Sequence, residues 1–275
     1  MRTMTGEAIG LSTQAVALLW SDTAPEEALR FKPGRWGCVV SLFAAAAAKG
    51  KVAAFDAQTY GCWGGGTGLG FGDCYQAFPG GMECFCRFLA GGNASDPRGR
   101  AIGEGMAASG GGGFADDFLN GEKYKQSPEL TAQFVARLPI RTIPARYVVV
   151  KPLDRLDPER ELPQSVTFFV TPDQLSALVV LANYANPQGD SVLIPWAAAC
   201  QVMGILAYQE LEREAPRALV GLTDLSARLT VRSTLGPHVL SFTAPWPLFQ
   251  QMERNTGDSF LGRETWRALT SVPDH

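Results

Sequence analysis

KVAAFDAQTYGCWGGGTGLGF at 51–71 and DSVLIPWAAACQVMGILAYQE at 190–210 are the stretches whose reading decides the fold. In each, a short apolar run beginning at Val52 or Val192 leads within ten residues to a cysteine, Cys62 or Cys200. Small residues follow, rich in Gly in the first stretch and in Ala and Gly in the second. Read as two versions of one unit, they predict an internal duplication. The two thiols then fall at one pseudo-symmetric seam between the halves, a place that ligands favour.

Working outward, Ala15 to Trp20 reads as a strand. Arg35 to Lys49 reads as a helix, with five consecutive alanines and a stop at Gly50. That helix would hold Cys38 in its first turn, where unpaired amide donors favour a thiolate. Lys51 to Phe55 reads as a strand and 59–72 as a glycine-rich connection. In the second half, Ser165 to Val170 is a strand. Thr171-Pro172 opens a helix that runs to Tyr184, with an N-cap and Pro at N1. Val192 to Ile194 is a strand that precedes Cys200.

Further elements complete the pattern. Ser127-Pro128-Glu129 opens a helix, and Arg146 to Lys151 is a strand. Residues 219–231 read as turn and strand, His238 to Thr243 as a strand, and Pro247 to Arg254 as a helix. Gly80 to Gly113 reads as a long loop with a helix at Glu83 to Leu89. The predicted class is α/β or α+β, with two related strand–helix–strand halves (an internal pseudo-repeat) and a Gly-rich flap in the first. The halves are 1–152 and 163–275, forming one compact unit.

Composition limits the function classes. Of 275 residues, 46% are hydrophobic and 19% charged, which a packed core requires and a disordered chain lacks. A net charge of −3 gives no electrostatic footprint for nucleic acid or an anionic membrane. No apolar run is long enough to span a bilayer. The apolar run at Ala15 to Trp20 lacks the basic start of an export signal, so the expected compartment is the cytoplasm. Six cysteines then stand as free thiols or thiolate ligands. His238 and His275 are the only histidines, which excludes a histidine-rich metal site and leaves His238 as the one imidazole base.

The glycine run gives GxGxG at Gly66, Gly68 and Gly70, which is not the dinucleotide fingerprint GxGxxG, and GxxxxGK[ST] is absent. Cys84-Phe-Cys86 forms a CxC pair with no further ligands at metal spacing.

Several segments together carry a family resemblance. They are GCWGG with the downstream GLGF, GEKYKQSPEL, YVVVKPLDRL, VTFFVTPDQLSALVVLANY, RALVGLTDLSAR and PWPLFQQMERNTGDSFL. From Ala15 to Trp266 the chain resembles the domain-of-unknown-function 169 family of bacterial and archaeal proteins. The resemblance implies a cysteine in the helix after the first strand, a Cys–Gly turn and a second-half cysteine, here Cys38, Cys62 and Cys200. It brings no activity with it, and it does not cover Cys74, Cys84 or Cys86.

Three functions follow as expectations. The first is a cofactor or ligand site on Cys38, Cys62 and Cys200, with Gly64 and Gly65 letting backbone wrap the sulfurs. Its sharper form is an iron–sulfur cluster on Cys38, Cys62, Cys200 and Cys74, since soft thiolates suit such centres. The second is a non-catalytic protein binding an anionic metabolite or tetrapyrrole. Lys123, Lys125, Arg146, Lys151 and Arg228 would receive the anion, and Trp36, Trp63, Trp196 and Trp246 would form an apolar floor. The third is a thiol enzyme with Cys38 or Cys62 as nucleophile and Asp224 or Glu210 as base. The partner in every case is a small molecule or cofactor; oligomeric state is not encoded in any pattern found.

Overall fold

A computed structural model of the chain describes residues 3–110 and 112–271. The chain divides into two compact units, one of residues 1–71 with 141–275, the other of residues 72–140. His275 lies outside the described residues. The halves 1–152 and 163–275 contribute strands to one sheet, so the division into units falls elsewhere than between them.

The first unit begins with α1 (Met4–Ala8), β1 (Val16–Ser21), α2 (Val40–Lys49), β2 (Ala53–Phe55) and α3 (Trp63–Leu69). The second unit is helical: α4 (Gly81–Phe88), α5 (Pro97–Ala108), α6 (Gly112–Asn120) and α7 (Pro128–Val135). The first unit resumes with β3 (Tyr147–Pro152), β4 (Pro163–Val170), α8 (Pro172–Ala182), β5 (Val192–Leu193) and α9 (Ala199–Gln201). A π-helical turn, Val202–Leu206, joins α9 to α10 (Ala207–Leu211). It closes with β6 (Ala218–Gly221), α11 (Leu225–Leu235), β7 (Leu240–Pro245), α12 (Trp246–Asn255) and α13 (Glu264–Ser271).

All seven strands form one mixed sheet in the order β2-β3-β1-β4-β7-β6-β5. Only β5 and β6 pair in parallel. Alternation along the central strands sends side chains to opposite faces. On one face Val166, Phe168 and Val170 of β4, with Phe242 and Ala244 of β7, pack on Leu178 and Leu181 of α8 and on Leu248, Phe249 and Met252 of α12. On the other, Thr167 and Thr243 are fully covered and bond each other through their hydroxyls at 2.9 Å, so neither buried oxygen is left without a partner. The Ser165 hydroxyl reaches the Met203 carbonyl at 3.4 Å, tying the π turn to the sheet.

Several predicted elements stand in the structure. β1, β3, β4, β5 and β7 occupy their expected stretches, and the Thr171 capping box opens α8 as its sequence dictates. Others differ. The helix predicted from Arg35 begins only at Val40, so Cys38 precedes it and does not lie inside its first turn. The glycine-rich stretch after Cys62 is helical, as α3, and the segment read as a flap over 80–113 is built of α4, α5 and the start of α6. Residues 219–231, expected as turn and strand, hold most of β6 and then the start of α11.

The second unit holds its own aromatic core. Tyr75 and Phe85 stack at 4.1 Å, and Phe78 lies between Phe85, Phe88 and Phe118. The segment is bracketed in the first unit by an isolated antiparallel bridge between Phe71 and Thr142.

Candidate functional site

α3 and the helix running from α9 through α10 approach until their backbones touch. A Cβ on Gly204 would strike the Gly68 carbonyl oxygen, and one on Gly68 would lie 2.8 Å from both the Cys200 carbonyl carbon and the Gln201 nitrogen. Glycine at both positions is what permits the approach. The π turn lies at this contact, an irregularity that is often found where function is placed.

This contact sets the two cysteines of the opening stretches against one peptide group. The Gly65 amide donates to Cys62 Sγ at 3.2 Å, and Cys200 Sγ donates to the Gly64 carbonyl at 3.1 Å. Both atoms belong to the Gly64–Gly65 peptide. The sulfurs are therefore within roughly 8.5 Å of each other, since the peptide itself adds only about 2.2 Å. In a trans peptide N–H and C=O point in opposite directions, so the thiols flank it on opposite edges.

Cys38 completes the set. Gly37 and Val39 pack directly on the Cys62 turn: a Cβ on Gly61 would meet the Gly37 carbonyl, and one on Gly65 would lie 2.5 Å from Val39 Cγ1. Gly61 takes φ +76°, a conformation other residues resist. The open start of α2 has no side-chain cap on Val39. There the Ser41 amide and the Ser41 hydroxyl both donate to the Cys38 carbonyl, at 3.0 and 2.7 Å.

The fourth group is Asp224, which sits at the start of α11, is 9% exposed, and accepts from the Ala199 amide at 3.1 Å. The turn that delivers it is strained and braced. Leu222 is a buried residue at φ +61°, and Arg228 donates to the carbonyls of Leu222, Val239 and Pro237 at 3.0–3.3 Å. The starts of α2, α3, α9 and α11 thus each contribute one ionisable side chain to a common neighbourhood.

Electrostatics follow from burial and like charge. Burial pushes the Cys38 thiol up to about 12, with Cys62 and Asp224 adding to the rise against the Val40 and Ser41 amides. Burial also raises Cys62, against its three amide donors, and raises Cys200 well above the ordinary thiol range, with Cys62, Asp224 and Cys38 contributing. Asp224 rises to about 6 by burial, opposed by amide donors and by Arg228. The expectation that a helix start would favour a Cys38 thiolate is thus reversed, because desolvation of the charged form outweighs the amides. Cys38 and Cys62 are half-buried and Cys200 is 5% exposed.

The remaining candidates fall elsewhere. Cys74 lies in the second unit in a single 3₁₀ turn, and Cys84 and Cys86 lie in α4; all three are buried. Among the described residues no group of three or more His, Cys, Asp or Glu side chains is arranged to hold a metal ion. The Gly64–Gly65 peptide between two of the sulfurs is one reason. Glu210 is buried and held by Arg217 at 2.8 and 3.0 Å, so it serves an ion pair. His238 is exposed between the two carbonyls that hold Arg228.

The cations named for an anion have these surroundings. Lys151 is committed to Glu161 at 2.6 and 2.7 Å, Arg228 to carbonyls, and Arg146 lies over the Tyr147 ring; Lys123 and Lys125 belong to the second unit. Of the tryptophans, Trp246 stacks on Phe249 and Trp36 is 61% exposed, two residues before Cys38. Sequence reasoning missed the Gly68–Gly204 contact and the Arg228 brace. The isolated Gly204 within a helical pattern was the available signal for the first.

The fold defines a mixed α/β protein built on one seven-stranded sheet. The chain belongs to the family DUF169, described as Uncharacterised ArCR, COG2043, whose model matches residues 6–255. No curated protein and no solved structure matches it. No helix among the described residues is long and apolar enough to cross a membrane.

Proposed function

We propose that this chain binds a small-molecule ligand or cofactor at Cys38, Cys62, Cys200 and Asp224, with Cys62 as the thiol that engages it. One observation carries the reading: three thiols and a carboxyl group come together from four separate helix starts, Cys62 and Cys200 on the Gly64–Gly65 peptide, Asp224 on the Ala199 amide and Cys38 beside the Gly61–Gly65 turn. A thiophilic group entering the cluster would displace the protons that burial keeps on the sulfurs.

The spread of the sulfurs around a peptide suits a group larger than a single ion. An iron–sulfur cluster is the sharper form of the proposal, and amide donors to sulfur are a known means of tuning such clusters. The backbone contact at Gly68 and Gly204 brings the segments of Cys62 and Cys200 together.

The test is protein purified with oxygen excluded, analysed by native mass spectrometry, absorbance, iron and acid-labile sulfide. A bound species that disappears in Cys62→Ser supports the site. Stoichiometric iron and sulfide would identify the cluster form. Wild-type protein that carries no bound species and takes up no iron and sulfide on anaerobic reconstitution would overturn the proposal.

A further inference from the structure

Cys38 lies two residues before α2, and Cys62 is the residue that caps the start of α3. The packing of Gly37 against Gly61 and of Val39 against Gly65 runs the two segments alongside each other, with the cysteines between those contacts. Cys200 differs: the Gly64–Gly65 peptide stands between it and Cys62. Cys38 and Cys62 are also the two half-buried thiols of the cluster, whereas Cys200 is buried.

We infer that Cys38 and Cys62 are a redox-active dithiol that closes to an intramolecular disulfide when met by a low-molecular-weight disulfide. Cys62, whose sulfur accepts from the Gly65 amide, loses its proton to solvent and attacks one sulfur of the reagent. The reagent's S–S bond breaks, and one of its halves leaves as a thiolate that takes up a proton. Cys38 then loses its proton to solvent and attacks the Cys62 sulfur. The Cys38–Cys62 bond forms and the second half of the reagent leaves as a thiol. Two protein thiols are oxidised by two electrons, and one small disulfide is reduced to two thiols. The inference rests on the pair's geometry and does not need the ligand-binding reading. Closure would remove two of the three thiols from that site.

The experiment uses the whole chain with oxidised glutathione as the probe. The protein is incubated, alkylated, digested without reductant by trypsin and chymotrypsin, and mapped by mass spectrometry. Cleavage after Phe71 separates Cys62 from Cys74, so the partners are readable. The expected product is a peptide from the Cys38 segment joined to one from the Cys62 segment. A Cys62–Cys200 link, glutathione retained without any internal link, or no reaction would each overturn the inference. In Cys38→Ser the second attack is lost, so glutathione is expected to stay on Cys62 at least tenfold longer than in wild type. Equal release would overturn it. The wild-type map needs no variant, so the inference stays testable if the serine variant fails to fold.

Discussion

Cys62 and Cys200 are hydrogen-bonded to the two ends of a single peptide group, the Gly65 amide at 3.2 Å and the Gly64 carbonyl at 3.1 Å. Residues 138 positions apart are thereby fixed by one rigid plane. The plane holds its place because α3 and the π turn touch backbone to backbone at Gly68 and Gly204.

That contact should be intolerant of a methyl group. Gly204→Ala is expected to cost about 1–3 kcal/mol, since the new Cβ meets a carbonyl that cannot turn aside. Gly105→Ala in α5 makes the opposite prediction. A Cβ there meets nothing within 4 Å, and replacing a helical Gly with Ala should stabilise by about 0.5–1 kcal/mol. Urea unfolding of the two variants beside wild type measures both.

Asp224 should make stability depend on pH near 6. Its folded pKa, about 6, lies above the ordinary 3.8. The folded state therefore prefers the protonated form. The associated stability is fully present below the unfolded pKa and is lost as pH rises through the folded one. The effect is at most about 3 kcal/mol. Asp224→Asn should flatten the profile between pH 4 and 7, although it weakens the acceptor for the Ala199 amide. Denaturant midpoints across that range, for both proteins, check this.

Thiol reactivity should separate into two classes. Cys38 and Cys62 are half-buried, while Cys74, Cys84, Cys86 and Cys200 are buried. Iodoacetamide should label the first two in native protein and all six after unfolding. The native rate for Cys38 should rise about tenfold per pH unit from 7 to 9, because its pKa of about 12 leaves thiolate scarce throughout that range. Timed labelling with peptide mapping measures each site.

The part-buried ion pair between Lys151 and Glu161 offers a control away from the thiols. Lys151 is 8% exposed and lies in β3. Lys151→Ala should cost about 1–2 kcal/mol, less than for a fully buried pair because solvent reaches the carboxylate. Thiol labelling rates should stay unchanged in that variant.

Much of the sheet was legible because its strands announce themselves. RYVVVK and SVTFFV are β-branched and aromatic runs bounded by Pro or Thr-Pro. The Thr171 and Ser127 caps were legible for the same local reason. What was not legible is helix made from glycine. WGGGTGL has poor intrinsic propensity, and α3 exists because Gly65 and Gly68 admit Val39 and the Cys200 backbone at distances that side chains forbid. Such helices are imposed by tertiary contact, so local preference points the wrong way.

The candidate site was legible in part. Cys62 and Cys200, singled out from the two opening stretches, do bond one peptide group, while the duplication that led to them is not established by the fold. The electrostatic result was not readable from Cys38's place near a helix start, because burial decides the sign and burial is a property of the folded chain. Asp224 stands four residues before Arg228 in TDLSAR, a helical pairing distance. The two do not form a simple pair, because Arg228 spends its donors on three carbonyls.

The bridge between Phe71 and Thr142 has a consequence for how such a chain changes over generations. Residues 72–140 leave and rejoin the sheet-bearing unit at a single doorway. All seven strands lie outside this stretch, so its length can change over generations with the strand order of the sheet kept.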